Sequence, residues 1–140
     1  MRVVIADEPA MIALGEAIAE TLTPGDWLAI DGPLGAGKTV LSKGILRGLG
    51  YAGEVASPSY ALVHHYDPPD VRIAVSHADL YRLRNSDELD ELGLAEEQDD
   101  RVTLVEWAER GRAGYGFATQ CLQIIPQEDG TRIVMIEDRR

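Results

Sequence analysis

Asp7-Glu8-Pro9 is followed by Leu14, Ile18 and Leu22, one apolar side chain every four residues, and this recurrence predicts a helix that opens at 7–9 and is closed by Pro24 and Gly25. Trp27-Leu28-Ala29-Ile30 is continuously apolar, the pattern of a short strand buried on both faces. Beyond residues 31–39, Leu41, Ile45 and Leu49 mark one face of a second helix, Lys43 and Arg47 mark the opposite face, and Gly50 stands where that helix should end. Residues 60–66 and 71–78 read as strands around an Asp67-Pro68-Pro69-Asp70 turn. Val71, Ile73 and Val75 alternate on one face, which carries His77 and Asp79 onto that face as well. Asn85 or Ser86 can cap a short acidic helix running through Leu92 and stopped by Gly93. Residues 102–106 are another strand, and 121–125 and 132–136 bracket a turn at Asp129-Gly130. Strands interleaved with helices and ending in a hairpin predict an α/β fold with a mixed parallel and antiparallel sheet.

The 140 residues, 45% hydrophobic and 26% charged, suit one domain over 1–140 and exclude a multidomain enzyme. Acids outnumber bases by 24 to 13, a formal charge of -11. Asp87, Glu88, Asp90, Glu91, Glu96, Glu97, Asp99 and Asp100 crowd one stretch with no Lys or Arg between them. Such a chain lacks the basic footprint that neutralising nucleic-acid phosphates requires, so any contact with RNA is expected to be indirect. The acidic stretch reads as a solvated face or, functionally, as a patch that steers docking onto a basic partner. No apolar run approaches the roughly twenty residues of a membrane span. Val3-Val4-Ile5 runs at once into acids, unlike a signal peptide, and Cys121 in its apolar run reads as a buried thiol in a reducing compartment. These features make a cytoplasmic location the expectation.

Gly32-x-x-x-x-Gly37-Lys38-Thr39 completes the phosphate-loop pattern directly after a buried strand and at the opening of a helix. Typical residue frequencies give a chance match in a chain of this length of only about half a per cent. Across Pro33, Leu34, Gly35, Ala36 and Gly37, the small residues at 35–37 let backbone amides turn inward around phosphates at the positive end of the helix dipole. Lys38 can reach the β and γ phosphates, and the Thr39 hydroxyl can ligate Mg²⁺. A phosphate loop also needs an acid at the end of a neighbouring apolar strand, and here Asp79 and Glu106 both end one. Either can serve the metal while the other positions the attacking water. The fold class becomes a three-layer, P-loop NTPase-like α/β domain.

The chain resembles the TsaE (YjeE) family, bacterial P-loop ATPases of threonylcarbamoyladenosine synthesis on tRNA. The resemblance rests on Gly32 to Thr39, then Ser57-Pro58-Ser59-Tyr60-x-Leu62-Val63, His77-x-Asp79-Leu80-Tyr81-Arg82, Glu91-Leu92-Gly93 and Val105-Glu106-Trp107, in the family's order and at compatible spacing up to about residue 110. It implies weak intrinsic hydrolysis of ATP with Mg²⁺, and action on the TsaB and TsaD proteins that modify adenosine 37, with tRNA reached only through them. It implies that Thr39 and Glu106 bind Mg²⁺, that Asp79 is needed for hydrolysis alongside Lys38, that Trp107 lies near the nucleotide, and that the loop entering the first helix near Glu8 approaches the base. Residues around Ser57 to Tyr60 resemble the family's switch-like loop, where Thr is usual at the position of Ser59; the hydroxyl is kept.

Read without the resemblance, Trp107 is ordinary core ahead of a reporter or stacking partner for the base, and Tyr81 and Arg82 either order a switch or stabilise γ-phosphate charge, or are a half-buried Tyr and a solvated Arg. His64, His65 and His77 lack a Cys or acid at zinc-ligand spacing. Asp90-x-x-Gly93 imitates a GTPase signature but sits in an acidic helical stretch, with no Asn-Lys-x-Asp motif to read guanine. Two other functions fit the loop. A small-molecule kinase would need Arg82 and Arg84, or Arg110 and Arg112, as its lid, and a nucleotide-gated assembly module would need occupancy and not hydrolysis.

Overall fold

The computed structural model describes residues 1–58, 63–84, 86–110 and 117–140, the side chains of Ser86 and Leu89 excepted. Ser59, Tyr60, Leu62, the start of the strand expected at 60–66, the Asn85 cap and Arg112 lie outside the described residues. The elements in order are β1 (Arg2–Ile5), α1 (Glu8–Ala19), β2 (Trp27–Asp31), α2 (Lys38–Gly48), β3 (Val63–Tyr66), β4 (Val75–Asp79), α3 (Ser86–Glu91), α4 (Leu94–Glu97), β5 (Val102–Glu106), β6 (Gln120–Pro126) and β7 (Arg132–Asp138), with short 3-10 turns at Gln98–Asp100 and Ala108–Arg110. The strands form one sheet in the order β1-β7-β6-β2-β5-β4-β3. The four central strands β6, β2, β5 and β4 run parallel, and β3, β7 and β1 pair antiparallel at the two ends. This is the mixed α/β sheet that the sequence predicts.

Helices α1 and α2 cover one face, where Leu28, Ile30, Leu104, Leu122 and Ile124 meet Leu41 and Ile45 from α2, Leu49 at its C-cap, and Met11 and Ile18 from α1. On the other face Trp27, Ala29 and Val105 pack under Leu83, Leu92 and Leu94 around α3 and α4, completing three layers. The Asp7 carboxylate caps α1 by accepting from the Ala10 amide at 3.0 Å. The two long helices approach so closely that a Cβ at Gly44 would lie 2.4 Å from the Ile12 carbonyl oxygen. That contact seats α2, and with it the loop before it, against α1.

Several expectations are adjusted by tertiary contacts. The Val3-Val4-Ile5 run forms β1, because β7 supplies a ladder partner for each of its residues. β4 begins at Val75 and not at Val71: the Arg72 amide donates to the Leu49 carbonyl and its guanidinium to the Ala19 carbonyl, so this segment is tied to the ends of α1 and α2. The thiol of Cys121 is only half-buried, since Leu122 and Ile124 take the inward positions of β6 and leave Cys121 on the other face. Most side chains of the acidic stretch are exposed, with Glu97 within 3.7 Å of both Arg101 and His65. Among the described residues no helix is long and apolar enough to cross a membrane.

Candidate active site

A parallel strand followed at once by a helix leaves the amides of the helix N-terminus pointing along the strand axis, and β2, residues 32–37 and α2 build this arrangement. Gly37 immediately precedes α2 with φ of +112°, a left-handed conformation open to glycine at little cost, and no side chain caps the helix. The N-terminus of α2 is therefore an anion-binding end. Leu34 projects outward at 80% exposure, whereas Ala36 is buried and its amide donates to the Pro33 carbonyl.

Lys38 opens α2 and folds back over the loop. Its Nζ donates to the carbonyls of Gly32 at 2.7 Å and Pro33 at 2.8 Å, and lies 3.8 Å from the centroid of the Trp107 ring. Burial pushes the ammonium below its ordinary pKa, against the opposing pull of Glu106, Asp79, Asp31 and Glu109.

Strand register places the two candidate acids side by side. Glu106 ends β5 opposite Ile30 of β2 on one side and Asp79 of β4 on the other. Glu106, 1% exposed, accepts from Thr39 Oγ1 on Oε1 at 2.9 Å, and from Ser42 Oγ at 3.3 Å and His77 Nε2 on Oε2. Asp79, 3% exposed, accepts from the Tyr81 amide at 2.8 Å on one oxygen and from Ser57 Oγ at 3.0 Å on the other. A hydroxyl beside a carboxylate is a hard oxygen donor set of the kind Mg²⁺ takes, so Thr39 and Glu106 fit that ion. The arrangement lies at the carboxyl ends of the parallel strands, where open α/β sheets hold ligands.

Trp107 packs against the second-face cluster from its edge and is not enclosed in it. It adopts φ of +58°, donates its amide to the Ile30 carbonyl and stands half-buried beside the loop. Its ring packs on Tyr81 at 4.8 Å, with the Arg110 guanidinium 5.1 Å from the Tyr81 centroid. Between Lys38, Thr39, Ser57, Asp79, Glu106 and Trp107 lies an open cleft of about 410 Å³.

Glu8 is placed apart from these residues, in a smaller recess of about 210 Å³ on the α1 side of the loop, with Asp7, Met11, Gly35, Gly37, Val40 and Arg132. Arg132 donates from Nε to the Ala36 carbonyl at 2.7 Å and from Nη2 to the Gly35 carbonyl at 3.3 Å, bracing the loop from β7. Neither Arg132 nor Ser42 stood out in the sequence. Ser42 sits one helical turn after Lys38, a spacing that could have flagged it, whereas nothing local links Arg132 to a loop some ninety-six residues earlier.

The chain matches the model of the family described as threonylcarbamoyl adenosine biosynthesis protein TsaE over residues 5–134. A Haemophilus influenzae protein named tRNA threonylcarbamoyladenosine biosynthesis protein TsaE is 36% identical over 138 residues, covering 94% of this chain and 86% of that one. A Mycobacterium tuberculosis protein of the same name is 40% identical over 106 residues, covering 70% of this chain and 62% of its own length. The crystal structure of Bacillus subtilis YdiB superposes with a TM-score of 0.80 at 27% identity, covering all of this chain and 86% of that one. The matched residues take in the phosphate loop, both strand-end acids and Arg132, and on that breadth the chain belongs to the TsaE family of threonylcarbamoyladenosine biosynthesis proteins.

Proposed function

We propose that this protein is the ATP-hydrolysing component of the machinery that installs threonylcarbamoyladenosine at position 37 of tRNA, and that its nucleotide cycle resets the TsaB–TsaD pair. The observation that carries the reading is the hydrogen bond from Thr39 to Glu106 at the mouth of a phosphate loop whose lysine and strand-end acids share one cleft.

The loop amides and the positive end of α2 receive the phosphates of ATP. Lys38 leaves the carbonyls of Gly32 and Pro33 for the β and γ phosphate oxygens, exchanging neutral acceptors for anionic ones. Thr39 and Glu106 would hold Mg²⁺, which would supply positive charge to offset that developing on the phosphate oxygens. Asp79, oriented by Ser57 and the Tyr81 amide, accepts a hydrogen bond from the water that attacks the γ phosphorus as the bond to the bridging oxygen breaks, giving ADP and phosphate. Turnover by the isolated chain is slow because a partner must complete the site, and the exposed acids of 87–100 suit a basic docking surface on that partner. Contact with tRNA is made through TsaB and TsaD.

The test is multiple-turnover modification of tRNA by TsaB, TsaD and the enzyme that supplies the carbamoyl adenylate, with wild type or Lys38→Ala protein and ATP hydrolysis followed in parallel. Modification beyond the first round and hydrolysis should both depend on Lys38. A wild-type protein that adds nothing to repeated modification sinks the reading and directs the search to phosphorylation of small molecules.

A further inference from the structure

His77 is fully buried on β4, two residues before Asp79, and the hydrolytic steps above do not use it. Its Nε2 donates to Oε2 of Glu106, while the other oxygen of the same carboxylate faces Thr39. The two oxygens of Glu106 thus have separate duties. Oε2 is anchored in the interior by His77 and Ser42, and Oε1 is left at the cleft beside the Thr39 hydroxyl.

We propose that His77 is a positioning residue for the metal-bearing nucleotide, holding the Glu106 carboxylate in the one orientation that presents Oε1 to the ion. The inference rests on the reading of the site as an Mg²⁺-nucleotide centre. A glutamate has three side-chain torsions, and a carboxylate that must meet an ion within a fixed shell benefits from a partner that removes that freedom. His77 can reach it because β4 and β5 run in register, His77 beside Leu104 and Asp79 beside Glu106, which puts His77 and Glu106 on the same face two residue pairs apart along the ladder. Nδ1 of His77 has no hydrogen-bond partner among the described residues. The tautomer assigned from this environment carries its proton on Nε2, since a bare Nδ1 lone pair is a smaller loss there than an unpaired N–H. Among the described residues, all of the ring's directed bonding therefore goes to Glu106.

Substitution separates this role from simple core filling. His77→Leu keeps apolar volume without a donor, His77→Asn puts a donor where Nδ1 stands, and His77→Gln puts one near the place of Nε2. Affinity for a non-hydrolysable ATP analogue is measured by calorimetry in EDTA, Mn²⁺ binding to the analogue complex is measured by electron paramagnetic resonance, and melting temperature reports the fold. His77→Leu and His77→Asn should weaken Mn²⁺ binding by about tenfold or more, with metal-free analogue affinity within about twofold of wild type, and His77→Gln should recover most of the loss. If His77→Leu does not fold, the contrast between Asn and Gln decides. Wild-type Mn²⁺ affinity in His77→Asn overturns the proposal, as does a parallel fall in metal-free analogue affinity. A wild-type protein that binds neither analogue nor Mn²⁺ overturns the reading of the site itself, and this inference with it.

Discussion

The Lys38 ammonium lies 3.8 Å from the Trp107 ring centroid while both of its described hydrogen bonds go to carbonyls of its own loop, Gly32 and Pro33. A phosphate entering the loop has to draw Lys38 away from those carbonyls, and the cation over the indole moves with it. Trp107 emission should therefore change on adding ATP. Trp27, the other tryptophan, is buried against Phe117 on the second face, so a Trp27→Phe protein isolates the signal. Lys38→Ala should abolish the change, and a response that survives it would place the nucleotide elsewhere.

Asp79 and Glu106 are neighbours in the ladder but have different partners, so their removal should be felt differently. If Glu106 holds Mg²⁺ as proposed, Glu106→Gln should weaken that grip, and the nucleotide affinity of the variant should no longer respond to Mg²⁺. Asp79→Asn leaves the Thr39–Glu106 pair intact and should bind ATP within a few-fold of wild type while hydrolysis falls by about a hundredfold or more. Calorimetry with and without Mg²⁺, beside phosphate release, checks both; equal loss of binding in the two variants would contradict the division of roles.

Gly44 permits the helix contact that seats the phosphate loop. Alanine there gains about 1 kcal/mol of helix propensity, but its Cβ would stand 2.4 Å from the Ile12 carbonyl oxygen, and backbone cannot step aside as a flexible side chain can. Overpacking of this kind costs about 1–3 kcal/mol. Gly44→Ala should lower the melting temperature by several degrees, and an unchanged melting curve would show that the helices separate freely.

The local elements were legible because each is dictated by near neighbours: β2 by four successive apolar residues, α2 by Leu41, Ile45 and Leu49, the final hairpin by Asp129-Gly130. The phosphate loop was legible for the same reason, its chemistry lying in eight consecutive residues. What escaped depends on contacts distant in sequence. β1 exists through its ladder with β7, and the start of β4 is set by the bonds of Arg72 to Leu49 and Ala19. Trp107 stands at the edge of the second-face cluster, where β5 has ended one residue earlier and the chain turns with a positive φ. The same limit hid the brace on the loop.

Arg132 reaches that loop from β7 and ties the carbonyls of Gly35 and Ala36. With these oxygens drawn outward, the intervening amides are better disposed toward a phosphate. Arg132→Ala should weaken ATP binding by about tenfold with little change in melting temperature, because the side chain lies at the rim of the recess and not in the core. Arg132→Lys retains the charge but not the forked donor and should behave closer to alanine than to wild type. Full affinity in the lysine variant would show that charge alone suffices.

The buried ammonium of Lys38 also gives stability a pH dependence of definite sign. Its pKa in the folded chain lies below the ordinary value of 10.5, chiefly through desolvation, so the unfolded chain binds this proton more tightly than the folded one. Below the lowered pKa both states carry the proton and the folded state bears the full cost of burying the charge. Between the lowered value and 10.5 the folded lysine loses its proton first, and that cost is progressively relieved. Lys38→Met, similar in length and without charge, should therefore be more stable than wild type at pH 7 in the absence of nucleotide, and its advantage should shrink as pH rises toward 10.5. Thermal melts of the two proteins across that range supply the difference curve, in which contributions from the other titrating groups largely cancel. A difference that stays flat, or that grows with pH, would show that the carbonyls of Gly32 and Pro33 together with Glu106 and Asp79 fully compensate the desolvation of the ammonium before any phosphate arrives.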